Sequence, residues 1–491
     1  MDGLLGIAYR SSLMLKVRNW LFAILVGFFG AGCSVGPDYE SPPLVIPATY
    51  RQGETSPKAT GADVPWMKVF PDRRLQELIA TALEGNQDLA AAAARVEQFQ
   101  AGARQQEAAF YPQLSLGGSS GVQGIRGGPP FTQRGGVGSY GLGLQMSWEA
   151  DLWGRLRRLN ESARARLLQQ QRLMDAVRVS LIGQVAQTYF VLAGLDEQLA
   201  IARATITARE QALAIAQARK ESGAISGLDL QRFVADVAAA RNQTAAIERA
   251  IGQTENLLNL LLGRNPGPVA RGRDPLRPAT TGVLPPGLPS DLLRRRPDVL
   301  AAEQSLVAAN AEIGAAIANQ FPQLTLGASL GISSPDLLQT VGGLLQIDQF
   351  VFDGGARAAE VQLRRAVFRE AYAAYVQTVL GAFREVEDAL VALRTFGEQM
   401  KQLEAQVKSL GTAVELARVR YEAGRSSYLD VVSAQQELFA AQLNLANARA
   451  QRAAAYAAVY QALGGGWEPT SSLSGAESPA RTVRPVAKWK R

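Results

Sequence analysis

The chain has 491 residues, 47% hydrophobic and 19% charged, with one cysteine and no histidine. Without histidine there is no Ser-His-Asp triad, no imidazole base and no His-ligated metal, and one cysteine makes neither an intrachain disulfide nor a Cys-based zinc site. The net charge of +7 belongs to the ends: residues 1–32 carry +2 and residues 470–491 carry +4, which leaves +1 for the body and no electrostatic footprint for nucleic acid.

In chain order, Arg10, Lys16 and Arg18 precede an apolar stretch from Trp20 to Phe29, then Gly30, Ala31 and Gly32 before Cys33. These are the parts of a secretory signal, and the stretch falls short of the about 20 apolar residues of a spanning helix. Pro37, Pro42, Pro43, Pro47, Pro57 and Pro65 make residues 36–65 an extended tether. Asp72 is a plausible N-cap before Leu75, Leu78, Ile79, Ala82 and Leu83, and a second helix runs from about Asp88 to Phe110, ended by Pro112. Ser290 is the expected cap of a short helix, and Pro297 suits the first turn of a helix ending before Pro322.

Gly-rich alternation follows each helix pair: Leu114, Leu116 and Gly118 share one face, Gln113, Ser115 and Gly117 the other. The stretches near 112–122, 138–149, 322–333 and 341–352 are long enough, at about 9–11 residues, to cross a bilayer as tilted strands. Four such strands are too few to close a barrel within one chain. Proline is then absent from 131–265 and 336–468. Leu181, Val185, Thr188, Leu192, Leu195, Leu199, Ala202 and Ile206 step by four and three, as do Met400, Leu403, Val407, Leu410, Val414, Ala417 and Tyr421. A sustained period of about 3.5 is a coiled-coil seam. The helix from about Arg155 to Ser222 would be roughly 100 Å long. Each long helix turns at Gly223 or Gly424 and returns to Leu262 or Leu463, and Ala runs at 238–240 and 453–455 suit a closed wall of helices.

The chain repeats itself. Tyr111-Pro112-Gln113-Leu114-Ser115-Leu116-Gly117 reappears as Phe321-Pro322-Gln323-Leu324-Thr325-Leu326-Gly327, an offset of 210. Arg219, Glu221, Gly223, Ser226, Leu228 and Asp229 reappear as Arg420, Glu422, Gly424, Ser427, Leu429 and Asp430, an offset of 201. Matches in one order at near-equal spacing imply a duplicated unit. The expected divisions are a signal at 1–32, an anchor and tether at 33–71, a first repeat at 72–265, a linker at 266–289, a second repeat at 290–466 and a basic tail at 467–491.

This plan resembles the TolC-type outer-membrane channels, and within them the lipoprotein branch typified by NodT and OprM. The resemblance runs from Cys33 to Trp467. It rests on Gly36-Pro37-Asp38-Tyr39, the segment from Trp148 to Arg155, the segment from Gly287 to Ala302 and the segment from Tyr421 to Gln435. It implies a mixed α/β membrane protein: a homotrimer with four strands per protomer in one 12-stranded β-barrel, continuing into a long periplasmic α-helical barrel. The implied activity is a passive exit duct for small molecules, the outer-membrane part of a tripartite pump. Its partners would be a periplasmic adaptor and an inner-membrane transporter of the RND type. Cys33 would be the acylated first residue of the mature chain, with Gly30 where the usual pattern has Leu, and Ser34 favouring export to the outer membrane.

By the same resemblance, Arg219, Gly223, Ser226 and Leu228, with Arg420, Gly424, Ser427 and Leu429, form the periplasmic tip where the adaptor docks. Asp229, Leu429 and Asp430 are the candidates for the pore constriction. Threefold symmetry turns one Asp into a ring that favours cations, and Leu429 could close by dewetting. A related channel type places a carboxylate where this chain has Ser433, so the identity of the tightest ring stays open. Asp229 and Asp430 also occupy helix-capping positions, which is compatible with a pore role.

Arg294, Arg295 and Arg296 read most simply as a solvated or intersubunit cluster, since three adjacent charges are costly to bury together. Trp148 and Trp153 suit either an interfacial belt or packing where strand meets helix. Glu385, Glu387 and Asp388 read as a helix face rather than an acid/base pair. No catalytic or metal-ligating set stands out, and no cofactor is expected beyond the lipid on Cys33. The alternative reading is a periplasmic coiled-coil scaffold or adaptor without a pore.

Overall fold

The computed structural model describes residues 34–51, 64–126, 134–272, 276, 287, 289–334 and 338–465. Cys33, the signal segment and the basic tail lie outside the described residues. The elements are α1 (Trp66–Val69), α2 (Arg73–Gly85), α3 (Gln87–Ala108), β1 (Gln113–Arg126), β2 (Arg134–Ala150), α4 (Arg155–Glu221) and α5 (Gly227–Leu261). The second set is α6 (Pro289–Arg295), α7 (Pro297–Ala318), β3 (Gln323–Ser333), β4 (Leu338–Asp348), α8 (Ala356–Glu422) and α9 (Tyr428–Ala462). Three pairs of corresponding helices match residue for residue in length: α4 and α8 have 67, α5 and α9 have 35, α3 and α7 have 22.

Local chemistry sets the ends of the helices. The Asp72 carboxylate accepts from the Arg74 N–H at 2.8 Å, which opens α2 as its sequence position predicts. Pro297 opens α7. Ser290 is no cap, however: α6 begins at Pro289, so Ser290 already lies in the first turn. Pro289, with its fixed φ and missing N–H, suits the first turn of a helix. Proline-free α4 and α8 run unbroken, and every residue of the two 3.5-residue seams is buried or half-buried.

The long helices are held at mid-height by one apolar core. Leu75, Ile79 and Ala82 of α2 meet Val185, Tyr189 and Leu192 of α4, Leu258 of α5, Val386 and Leu390 of α8, and Val459 and Tyr460 of α9. Here the turn after α5 meets the turn after α2 so closely that a Cβ on Gly85 would lie 2.7 Å from the Leu262 carbonyl oxygen. The Tyr189 hydroxyl donates to Asp72 at 2.6 Å and accepts from the Gly272 N–H at 2.9 Å, which ties the segment after α5 to the same core.

The four strands form one antiparallel sheet in the order β1-β2-β3-β4, leaving β1 and β4 as its edges. Strands β1 and β2 extend a few residues beyond their predicted ends. Strand β4 is shifted: it spans 338–348, and Gln349 to Phe352 leave the ladder to enter the corner before α8. That corner is set by Asp353, whose carboxylate accepts from the N–H groups of Gly355 and Arg357 and so needs a turn, not a strand.

Candidate channel wall and hairpin tip

Pairing register decides the two faces of the sheet, because residues directly opposite in antiparallel strands point the same way. Leu114 and Leu116 pair with Met146 and Leu144; Leu144 and Leu142 pair with Leu330 and Ile332; Leu330, Leu326 and Leu324 pair with Val341, Leu345 and Ile347. One face is therefore apolar across all four strands. Leu116 (70% exposed) and Val341 (82%) on it have nothing among the described residues to cover them. The opposite face carries Gln113, Ser115, Gly117, Gln145, Ser147, Thr325, Gly327, Ser329 and Gln346, with Leu344 the one large apolar member among its described side chains. An apolar face toward lipid and a polar, small-residue face toward water is the section of a channel wall.

Where strand turns to helix, the motif residues prove structural. The Asp151 carboxylate accepts from the N–H groups of Leu156 and Arg157 at 3.1 and 3.0 Å, so it caps α4 across the left-handed Gly154. Trp148 donates its indole N–H to the Phe110 carbonyl at 2.9 Å; Trp153 donates to the Pro322 carbonyl at 2.8 Å and stacks on Phe321. Packing at the strand-to-helix junction is thus the role of both. The segment from Val35 to Ser41 straps the same junction. The Val35 N–H donates to the Trp153 carbonyl, Asn310 donates to the Pro37 carbonyl, and Asp38 pairs with the buried Arg158 at 2.7 Å. Burial, then the Glu303 carboxylate, pushes the Tyr39 phenol up to about 12.

The arginine triplet divides. Arg294 is exposed and Arg295 half-buried, but Arg296 is buried and pairs with Asp298 at 2.6 Å and Glu385 at 2.7 Å while donating to the Ala462 carbonyl. A solvated reading of that residue is therefore overturned: two carboxylates compensate its burial. Glu387 accepts from the Arg51 N–H, so the acidic face of α8 receives the chain beyond the strap.

At the far end, each long helix closes on a glycine. The Gly223 N–H bonds the Lys220 carbonyl and the Ala224 N–H the Arg219 carbonyl; Gly424 and Arg425 repeat this with Tyr421 and Arg420. This paired closure requires the left-handed φ of +75° at Gly223. Arg219, Ser226, Leu228, Arg420, Ser427, Leu429 and Asp430 are exposed around the two turns, as is Ser433 beyond them. Asp229 is not the N-cap; Ser226 is, and the two form a reciprocal capping box in which the Asp229 N–H donates to Ser226 Oγ at 3.1 Å. Ser427 makes no such side-chain bond at the start of α9. Ser226→Ala is accordingly expected to cost about 1 kcal/mol and Ser427→Ala much less. Amide exchange of the two turns measures this, and equal loosening would refute the asymmetry.

Beneath the turns lies a group of residues that sequence reading missed. Phe233 stacks on Tyr428 with ring centroids 3.6 Å apart, beside Ala216, Val431 and Val432. Arg209 and Asp236, with side chains 6% and 4% exposed, pair at 2.9 Å, and Gln436 donates to Asp236 at 3.2 Å. Gln436 comes from α9, so this bond joins the two repeats. Burial, then the Asp236 charge, pushes the Tyr428 phenol up. A signal was available: Arg209 and Asp236 stand almost equally far from Gly223, and residues equidistant from a hairpin turn face each other.

A sheet with one lipid-compatible and one water-compatible face, continued by paired helices into a glycine-closed tip, defines a protomer of a membrane channel. The chain matches the outer membrane efflux protein family over residues 78–264 and 288–465, and it belongs to that family. It is 35% identical over 460 residues to the probable efflux pump outer membrane protein SepC of Pseudomonas putida, covering 90% of this chain and 96% of that protein. It is 33% identical over 471 residues to OprJ of Pseudomonas aeruginosa, covering 94% and 98%. Among solved structures it superposes on the outer-membrane channel OprN with a TM-score of 0.82 at 29% identity, covering 89% of this chain and all of that one. The open state of the Neisseria gonorrhoeae MtrE channel gives a TM-score of 0.79 at 29% identity, with 88% and 98% covered. The chain is an outer-membrane channel component of an efflux system, TolC-like in fold, in a family of channels rather than enzymes.

Proposed function

We propose that three copies of this chain close one 12-stranded barrel and a helical barrel beneath it, forming the passive duct of a tripartite pump. The observation that carries this reading is the four-stranded sheet whose edges β1 and β4 are both unpaired. Open edges are not tolerated in lipid, and four strands cannot curl shut alone, so copies must pair edge to edge. The tip, from Arg219 to Leu228 and from Arg420 to Leu429, docks a periplasmic adaptor, and an inner-membrane transporter of the RND type supplies the energy. Asp229, Leu429 and Asp430 form the constriction. Cys33 carries the lipid anchor after removal of residues 1–32; support comes from the strap at Val35, which fixes the chain two residues away against Trp153.

Single-channel conductance of the detergent-purified protein in a planar bilayer tests this, comparing wild type with Asp229→Ala plus Asp430→Ala. The expected result is a small, cation-preferring conductance that rises several-fold and loses its preference in the double variant. No conductance from either, with folded and inserted protein, would instead support a scaffold without a pore. An SDS-resistant trimer on gels checks the copy number separately.

A further inference from the structure

We infer that the outer side of the α4/α7 junction, just below the barrel, binds the head group of a phosphatidylethanolamine-type phospholipid. The inference rests on the proposed three-copy barrel, because it uses the outer side of that barrel. The two sides of α4 are told apart by its first turns. Arg155 pairs at 2.6 Å with Glu149, which stands opposite Thr325 on the polar face of the sheet, so Arg155 marks the water-filled side. At about 100° per residue, Arg157, Glu161, Arg164 and Leu168 fall on the other side of the helix. The strap lies on that outer side too, since Arg158 pairs with both Asp38 and Glu161.

A cavity of 340 Å³ opens there, lined by Arg157, Asn160, Glu161, Arg164, Leu168 and Val307 among others. That volume lies at the low end of the range for small-molecule sites, about 300–1,000 Å³. Its position fits a head group. The cavity begins at Arg157, seven residues after β2 ends at Ala150, and the polar layer beside the hydrocarbon core is about 5–8 Å thick.

The lining is mixed in charge and holds one unanswered group. Asn160 is 8% exposed, and its Oδ1 has no hydrogen-bond partner among the described residues. Arg157 and Arg164, with side chains 40% and 61% exposed, are held by Asp151 and Glu107 at 3.2 Å each; the exposed Arg164–Glu107 pair can share its guanidinium with a phosphate at little loss, while Asp151, 11% exposed, keeps Arg157 in place beside it. Glu161 is an acceptor for an ammonium N–H, and Asn160 Oδ1, buried in the wall of the same cavity, is a second one that a rotation of the amide would present. Cations balanced by carboxylates favour a zwitterion over a simple anion, and Leu168 and Val307 offer apolar surface to the first methylenes of the acyl chains.

Native mass spectrometry of the delipidated protein tests this with phosphatidylethanolamine, phosphatidylcholine and phosphatidylglycerol of matched chains. Phosphatidylethanolamine is expected to bind about tenfold more tightly than phosphatidylcholine, whose quaternary nitrogen has no N–H for Asn160. Asn160→Leu should erase that preference, and Val307→Trp, which fills the cavity from α7, should abolish retention of all three. Equal binding of the ethanolamine and choline lipids by wild type would overturn the proposal. So would unchanged retention in Val307→Trp, which remains readable if Asn160→Leu fails to fold. Stronger binding of phosphatidylglycerol than of the zwitterions would overturn it in favour of general anion attraction.

Discussion

Gly263→Ala is expected to deplete folded protein severely, while Gly223→Ala leaves it nearly intact, although both glycines close a helix in the same left-handed conformation. Their φ values are +68° and +75°. Forcing a side chain into that region costs about 1–2 kcal/mol at either site. The surroundings differ. Around Gly223 a Cβ meets nothing within 4 Å, whereas at Gly263 it would collide with the backbone carbonyl of Gly85. Backbone cannot swing aside as a side chain can, so overpacking adds about 1–3 kcal/mol at Gly263, for a total of about 2–5 kcal/mol. Thermal unfolding of the purified variants decides this, and a shift at Gly223 as large as that at Gly263 would show the close approach to be unimportant.

Asp236→Ala is the second large effect, and it should be confined to the tip. Removing the carboxylate strands the Arg209 guanidinium, 6% exposed, without its counter-charge. Breaking a buried pair in this way costs about 3–5 kcal/mol, yet replacing both partners by apolar residues of similar size is close to neutral. Asp236→Ala should therefore open the hairpin end to protease, while Arg209→Met with Asp236→Leu restores resistance. The cleavage pattern is the readout. Equal protection of the single variant and wild type, or a double variant as fragile as the single, would refute the pair as a structural tie.

Much of this architecture was legible because period and punctuation agree. Two-residue alternation, Pro112 and Pro322, and the glycines at 223 and 424 placed strands, junctions and turns to within a few residues. The misses have physical causes. Ser290 lies inside the first turn because Pro289, which suits that turn, already belongs to the helix. The burial of Arg296 was missed because the nearby Asp298 is only one of its two counter-charges and the other, Glu385, lies 89 residues away, where no local pattern announces it. Asp229 was placed on the right turn but one role away, as the partner of the cap. The buried Arg209 and Asp236 were hidden by an Ala-rich context that resembles a plain helix face. Family membership follows from the matched residues, whereas the pore and docking roles of the tip remain part of the proposal.

The unequal lengths of the helices have a mechanical consequence. Each 67-residue helix is unbroken, while the shorter segments beside it end at its middle: the turn at Leu262 and Gly263 and the one at Gly85 both meet α4 near Tyr189, and Leu463 belongs to the same core as Ala389, midway along α8. The joints in one course of the wall are thus bridged by solid members in the next, as in a carpenter's lap joint. In the proposed tube no ring of joints would cut through every helix at one height. A tilt imposed at one end of a long helix reaches the other end as rigid leverage.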